Sequence, residues 1–236
     1  VVCRESAAEG PPDTWEIDMR LSVNTFLSLD GVMQGPGGRE EDTSGGFTRG
    51  GWVMPFGEDE VFERVVVGEW FAEAEEILLG RTTFEMMRDY WPKVTDPGNR
   101  VATVLNTHPK HVVSTTLTEA DTGWGDTTVV SGDVEERVRA LKERPGGELQ
   151  VHGSWRLAQT LHRAGLVDVY RLLVFPVVVG PGKRLFDESS PPGGFRVGSS
   201  HVSDGGVVAL TLVPDPSVDL GTREEFRVVD GRETIA

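Results

Sequence analysis

A single cysteine, Cys3, occurs among 236 residues. No disulfide can close within the chain, and a zinc site built from cysteines is excluded. So little cysteine suits a reducing compartment, and a cytoplasmic location is expected. Basic side chains are scarce too: 23 Lys and Arg against 38 Asp and Glu leave a formal net charge of −15. That balance argues against nonspecific nucleic-acid binding and against docking on anionic membranes, both of which rest on basic patches. An anionic ligand would need a local positive site made from a few arginines and helix N-termini. Long apolar runs are also missing. The longest, near residues 172–179, is broken by Pro176 and falls far short of the roughly 20 residues a spanning helix needs. Residues 1–18 carry Glu5, Glu9, Asp13 and Pro11-Pro12 without an apolar stretch. They lack the features of a signal peptide and are predicted to be a disordered extension.

Several catalytic signatures are absent. There is no G-x-S-x-G elbow, and no G-x-G-x-x-G fingerprint follows a strand. Gly180-Pro181-Gly182-Lys183 lacks the spacing and the hydroxyl of a P-loop. His108 and His111 flank Pro109 in a loop setting, so they read as surface histidines and no metal is expected.

What is present is ordinary globular composition, 38% hydrophobic and 26% charged, in a clear alternation of elements. Leu21, Val23, Thr25 and Leu27 alternate in a first strand over 17–29. A glycine- and proline-rich stretch, 32–57, follows and reads as a substrate-gating loop. Val61, Phe62, Val65, Trp70 and Phe71 recur at helical spacing. Strand 77–79, helix 81–89, helix 100–106 and strand 111–114 come next. Strand 127–130 leads to a helix opened by the capping pair Asp133 and Glu136 and stopped by Pro145-Gly146-Gly147. Strand 149–152, helix 155–164 with Gly165 at its end, and strand 167–175 continuing through Val179 complete the alternation. Segments 197–202 and 206–213 read as a hairpin. The pattern predicts an α/β fold, mostly parallel with an antiparallel C-terminal hairpin, over residues 19–213. Residues 214–236 read as a flexible acidic tail.

Candidate chemistry gathers where strands meet helices. Leu79-Gly80-Arg81-Thr82-Thr83 and His152-Gly153-Ser154-Trp155-Arg156 each put small residues between a strand and a helix. In α/β sheets ligands bind beyond the carboxyl ends of strands, and a helix start offers free N–H groups to an anion. Arg81 adds a fixed charge suited to a phosphate. Ser114-Thr115-Thr116 end a third strand in three hydroxyls. Asp30, where the first strand meets the long loop, is the best acidic candidate, for proton relay or for holding a heterocycle. Spacing alone leaves it equally open as an Asx-turn with Gly31.

Taken in order, Ser28-Leu29-Asp30-Gly31, Leu78-Leu79-Gly80-Arg81-Thr82-Thr83-Phe84, residues 153–161, Ala164-Gly165-Leu166-Val167-Asp168 and residues 172–186 resemble the reductase domain of the bacterial riboflavin-biosynthesis deaminase–reductase. That domain belongs to the dihydrofolate-reductase-like superfamily, and the resemblance spans residues 19–212. It implies a three-layer α/β/α fold, NADPH as cofactor and hydride transfer to a small heterocyclic substrate, as in 5-amino-6-(5-phosphoribosylamino)uracil reduction. On matched positions it implies that Gly80, Arg81, Thr82 and Thr83 contact the adenosine-side phosphates, with Ser114, Thr115 and Thr116 beside them. Gly153, Ser154, Trp155, Arg156 and Leu157 would wrap the pyrophosphate. Asp30 would be the catalytic residue, and Asp30, Gly31, Pro176, Val177 and Gly180 would form the substrate pocket. A homodimer is implied as well. The chain departs from the pattern at bulky Trp155, and it lacks the H-x-E and P-C-x-x-C signature of the zinc deaminase. Two alternatives stand beside the reductase: a dihydrofolate reductase gripping its pterin with Asp30 or one of Glu58, Asp59 and Glu60, or a non-catalytic nucleotide-binding protein.

Overall fold

The computed structural model describes residues 18–220, 226–229 and 231–235. The expected extension thus lies outside the described residues, except Asp18, which bridges to Pro145. The elements run in chain order as β1 (Arg20–Ser28), α1 (π-helical Phe62–Trp70 continued by α-helical Phe71–Glu73), β2 (Ala74–Gly80), α2 (Arg81–Tyr90), α3 (Arg100–Thr107), β3 (Lys110–Val113), β4 (Thr127–Val130), α4 (Val134–Lys142), β5 (Glu148–His152), α5 (Trp155–Arg163), β6 (Val169–Phe175), β7 (Phe195–Val202), β8 (Val208–Pro214), β9 (Phe226–Val229) and β10 (Arg232–Ile235).

Eight strands make one sheet in the order β4-β3-β2-β5-β1-β6-β8-β7. The first six strands are mutually parallel, and β8 and β7 close one edge in antiparallel pairing. The alternation legible in the sequence is therefore the one observed. Helices cover both faces. On one, Val65 and Trp70 of α1, Phe84 of α2 and Leu105 of α3 pack on Ile77, Leu79, Val112 and Phe175. On the other, Val138 of α4 and Leu157 and Leu161 of α5 pack on Val23, Leu78, Leu149 and Val151. Because successive strand residues face opposite ways, residues two apart on β2 and β5 feed the same layer.

Local chemistry fixes the helix ends. Asp133 accepts a 3.1 Å hydrogen bond from the Glu136 N–H to start α4, and Asn99 does the same for α3 through Ala102 at 2.9 Å. Gly165, at φ +62, closes α5 in the left-handed conformation.

Three expectations need correction. Residues 177–179 do not extend β6; the Val177 N–H turns back to the Phe175 carbonyl, because Pro176 removes a ladder donor and ends the strand. The stretch 32–57, read as a gating loop, is anchored, with Val32, Phe47, Trp52 and Val53 buried in the core. The Trp52 indole N–H donates to the Gln34 carbonyl at 2.8 Å, and the Gln34 side chain bonds Asp42, Ser44 and Lys183. Beyond Pro214, the segment read as a tail carries the antiparallel hairpin β9–β10.

Candidate functional site

β2 and β5 are neighbours, yet β2 feeds α2 on one face while β5 feeds α5 on the other. The chain thus leaves the sheet in opposite directions at adjacent carboxyl ends, the arrangement that opens a ligand crevice in α/β sheets. A cavity of about 420 Å³ lies there. Its walls are mainly apolar: Phe62, Val66 and Trp70 of α1, Met87 of α2 and Leu105 of α3. Its polar groups are few: Asn24, Thr25, Thr82, Thr83, His152, Ser154, Lys183 and the loop from Gln34 to Asp42 with Glu41. A broader cleft of about 970 Å³, bearing Arg49 and Arg184, adjoins it, and both share Gln34, Trp155 and Lys183. A small apolar pocket with convergent polar groups is the usual form of a small-molecule site.

Two helix starts border the cavity. Gly80 caps α2 and Ser154 caps α5, and neither side chain satisfies the first N–H groups of its helix. Gly153 and Ser154 lie consecutively in the left-handed region, at φ +54 and +53, and Ser154 is the one non-glycine residue there among the described residues. Such a conformation costs on the order of 1–3 kcal/mol and persists where the surroundings enforce it. Here the Gly80 N–H donates to Ser154 Oγ at 3.0 Å, and the Gly153 N–H reaches the Asn24 carbonyl. These bonds tie the ends of β1, β2 and β5 together and set the two helix N-termini side by side.

Beneath the cavity runs a buried polar seam. On β5, Glu148, Gln150 and His152 alternate with apolar Leu149 and Val151 and share a face with Ser22 and Asn24 of β1 and Arg171 of β6; all of these are buried. Arg171 and Glu148 form an ion pair inside it. The His152 ring stacks on Phe71 at 4.8 Å. Burial, reinforced by the Arg171 charge, pushes the His152 imidazole down to about 4, so it is neutral at physiological pH.

Of the residues singled out from sequence, the structure brings Thr82, Thr83, Gly153, Ser154 and Trp155 to the cavity, with Gly80 directly behind Ser154. Trp155 is held as a wall by its indole N–H, which donates to the Arg184 carbonyl at 2.9 Å. Arg81 lies outside the lining, half exposed and 3.5 Å from Glu85. Arg156 is exposed, while Leu157 faces the α5 core. Ser114 sits beside the start of α2, since Val113 pairs with Gly80. Its hydroxyl is occupied by the N–H groups of Thr116 and Leu117, and Thr115 and Thr116 are exposed.

Asp30 and the rest of the expected substrate pocket stand elsewhere. Neither Asp30 nor Gly31, Pro176, Val177 or Gly180 lines either cavity. The Asp30 carboxylate accepts the N–H groups of Val179 at 3.0 Å and Gly180 at 2.8 Å and the Ser28 hydroxyl at 2.7 Å. Partial burial would raise its pKa, but these hydrogen bonds outweigh it and hold the group down to about 2. A carboxylate so engaged clips the end of β1 to the loop after β6. The other acids considered for gripping a pterin are also outside the lining, Asp59 being bonded to Ser203 and Glu60 to His201.

Sequence reasoning missed Asn24 and Gln150, and took His152 only as the end of a strand. The signal was there as polar residues at every second position of two otherwise buried strands.

A profile of the RibD C-terminal domain matches residues 20–209. The chain belongs to the RibD C-terminal domain family. Its similarity extends to the uncharacterized protein YyaP of Bacillus subtilis, 26% identical over 197 residues, covering 81% of this chain and 93% of that one. Among solved structures, a putative riboflavin biosynthesis protein from Shewanella sp. PV-4 superposes with a TM-score of 0.62 at 22% identity, over 84% of this chain and 99% of that one. The diaminohydroxyphosphoribosylaminopyrimidine deaminase/5-amino-6-(5-phosphoribosylamino)uracil reductase of Thermotoga maritima gives 0.54 at 15%, over 84% and 57%. Dihydrofolate reductase of Enterococcus faecalis, complexed with NADP(H), gives 0.51 at 13%, over 84% and 98%. The RibD-family domain thus has the dihydrofolate-reductase-like α/β fold.

Proposed function

We propose that this RibD-family chain is an NADPH-dependent oxidoreductase that reduces a small heterocycle of the aminopyrimidine kind. The observation that carries the reading is the stitch between Gly80 and Ser154, which sets two uncapped helix N-termini beside one apolar cavity. A strongly acidic protein can hold an anionic dinucleotide only where local positive potential is built, and paired helix starts supply it without a basic patch.

The residues fit such a cofactor. The free N–H groups of α2 and α5, with the hydroxyls of Thr82 and Thr83, form a donor set for phosphate oxygens, and Arg81 stands at the rim to meet a 2′-phosphate by exchanging its Glu85 partner. Phe62, Val66 and Trp70 offer an apolar wall for a flat ring. Bound NADPH would supply the hydride. The chain's own share is to orient the two rings, exclude water and offer fixed dipoles. Asp30 serves that share indirectly, by holding the β1 end. The reading takes the protein to be cytoplasmic, as its scarce cysteine suggests, and a homodimer, as the family resemblance implies.

The test is turnover: NADPH oxidation with aminopyrimidine and pteridine acceptors. Acceptor-dependent oxidation is expected with an aminopyrimidine and not with dihydrofolate. Tight cofactor binding without oxidation by any acceptor would instead leave a nucleotide-binding protein.

A further inference from the structure

The polar seam under the cavity has a defined hydrogen-bond direction. Glu148 is fully buried, and its Oε1 accepts from Arg171, from the Ser22 hydroxyl at 2.5 Å and from Gln150 Nε2 at 3.0 Å. Two branches leave this carboxylate. Along β1, the Ser22 hydroxyl has spent its proton on Glu148, so its oxygen accepts from Asn24 Nδ2 at 2.8 Å. That fixes the amide orientation of Asn24 and leaves its Oδ1 as a buried acceptor with no donor to satisfy it. Asn24 is 1% exposed and lines the cavity, and among the described residues its Oδ1 has no hydrogen-bond partner.

Along β5, Gln150 Nε2 donates both to Glu148 and to the Trp70 carbonyl at 2.6 Å, one of the last carbonyls of the α1 π-turn. Gln150 must therefore present Oε1 to His152, 3.0 Å from Nε2. A neutral His152 then carries its proton on Nε2, and Nδ1 is a bare acceptor. Asn24 and His152 are direct partners across β1 and β5. One buried carboxylate thus turns two neighbouring side chains on the cavity floor into acceptors. An unpaired buried acceptor is costly unless a ligand or water donates to it.

We propose that Asn24 and His152 form a two-acceptor floor that selects a ligand presenting an –NH2 group on a flat ring, with Gln150 as the positioning residue that sets the histidine tautomer. The proposal deepens the reductase reading by naming what the cavity recognises. Two sources share this chemistry: the carboxamide of the nicotinamide ring, and the exocyclic amine of an aminopyrimidine.

Calorimetry on the full chain with two ligand pairs separates them. One pair is NADPH and its 3-acetylpyridine analogue, in which methyl replaces the amide nitrogen. The other is 2,4-diaminopyrimidine and 2,4-dimethylpyrimidine. At least one –NH2 ligand is expected to bind about tenfold or more tighter than its methyl counterpart, and the preference to shrink to about twofold or less in His152→Phe and Asn24→Leu. Discrimination within the first pair assigns the floor to the carboxamide, and within the second to the substrate amine. Equal binding within both pairs, or no binding by either –NH2 ligand, overturns the proposal. Independently of any variant, ¹⁵N NMR of the wild-type imidazole is expected to show protonated Nε2 and bare Nδ1 at neutral pH; a proton on Nδ1 overturns it. Loss of NADPH binding with amine discrimination intact would sink the reductase reading and leave the floor standing.

Discussion

The two faces of β1 and β5 are buried in opposite ways. Under α4 and α5, β5 contributes Leu149 and Val151, and β1 contributes Leu21 and Val23, to a continuous apolar layer. Under α1, the same two strands contribute Glu148, Gln150 and His152, and Ser22 and Asn24, to a polar layer just as inaccessible to water. Burying an ion pair and its hydrogen-bond network rarely gains stability over apolar packing of the same volume. On β1 and β5 the apolar side therefore packs the core under α4 and α5, while the polar side sits under the cavity and fixes which atoms its floor displays. The seam fits the expectation that a protein departs from consistent core patterning at its functional site.

Substitutions on opposite faces would sharpen that contrast. Arg171→Met should destabilise most, by about 3–5 kcal/mol, since it leaves the buried Glu148 charge with only the half-exposed Arg20, 3.7 Å away. Leu149→Ala, one residue along from Glu148, should cost about 2–5 kcal/mol through an apolar cavity alone. Denaturant melts give both values. Cofactor affinity of the folded protein should weaken in the first variant and hold in the second; the reverse pattern would erase the distinction between the faces.

Acid offers a graded version of the same experiment. His152 in the unfolded chain titrates near its ordinary 6.5, whereas burial lowers it to about 4 in the fold. The unfolded state therefore binds more protons between these values, and stability must fall as pH drops through that window. The loss attributable to His152 is on the order of 3 kcal/mol, and His152→Phe should flatten the slope. An unchanged slope would mean that the imidazole is not held neutral.

Asp30 predicts a smaller effect at lower pH. Its pKa is depressed from 3.8 to about 2, so its contribution is complete above the ordinary value and is lost as pH falls toward the folded one. Asp30→Asn should cost about 1–3 kcal/mol of stability, because an amide nitrogen meets a backbone N–H where a carboxylate oxygen accepted it. Turnover per folded molecule should stay within about twofold. A large drop in kcat with unchanged stability would return Asp30 to the catalytic role its position first suggested.

Much of this was legible before the structure. The order of strands and helices follows from apolar period and from caps such as Asp133 and Gly165, which are local signals. The junctions at Gly80 and Gly153-Ser154 were legible for the same reason, as small residues between a strand and a helix. The bond between them was not, because it joins residues 74 positions apart. The anchoring of the stretch 32–57 was not legible, because Val32, Gln34, Phe47 and Trp52 follow no period and find partners only in the fold. Asp30 stands next to Gly31, where turn and catalytic roles look alike in sequence; only the amides of Val179 and Gly180 separate them. The seam residues were visible as an alternation, but it took both strands side by side to give the alternation a direction.

The most direct test of the account is titration of the purified chain with NADPH and NADH, following tryptophan fluorescence, since Trp70, Trp91 and Trp155 all line the cavity. Saturable quenching with clear preference for NADPH is predicted. Arg81→Ala should erode that preference by about 1.5–3 kcal/mol while sparing NADH. Absence of quenching by either nucleotide, confirmed by calorimetry, would contradict the assignment of this cavity to a reduced pyridine nucleotide.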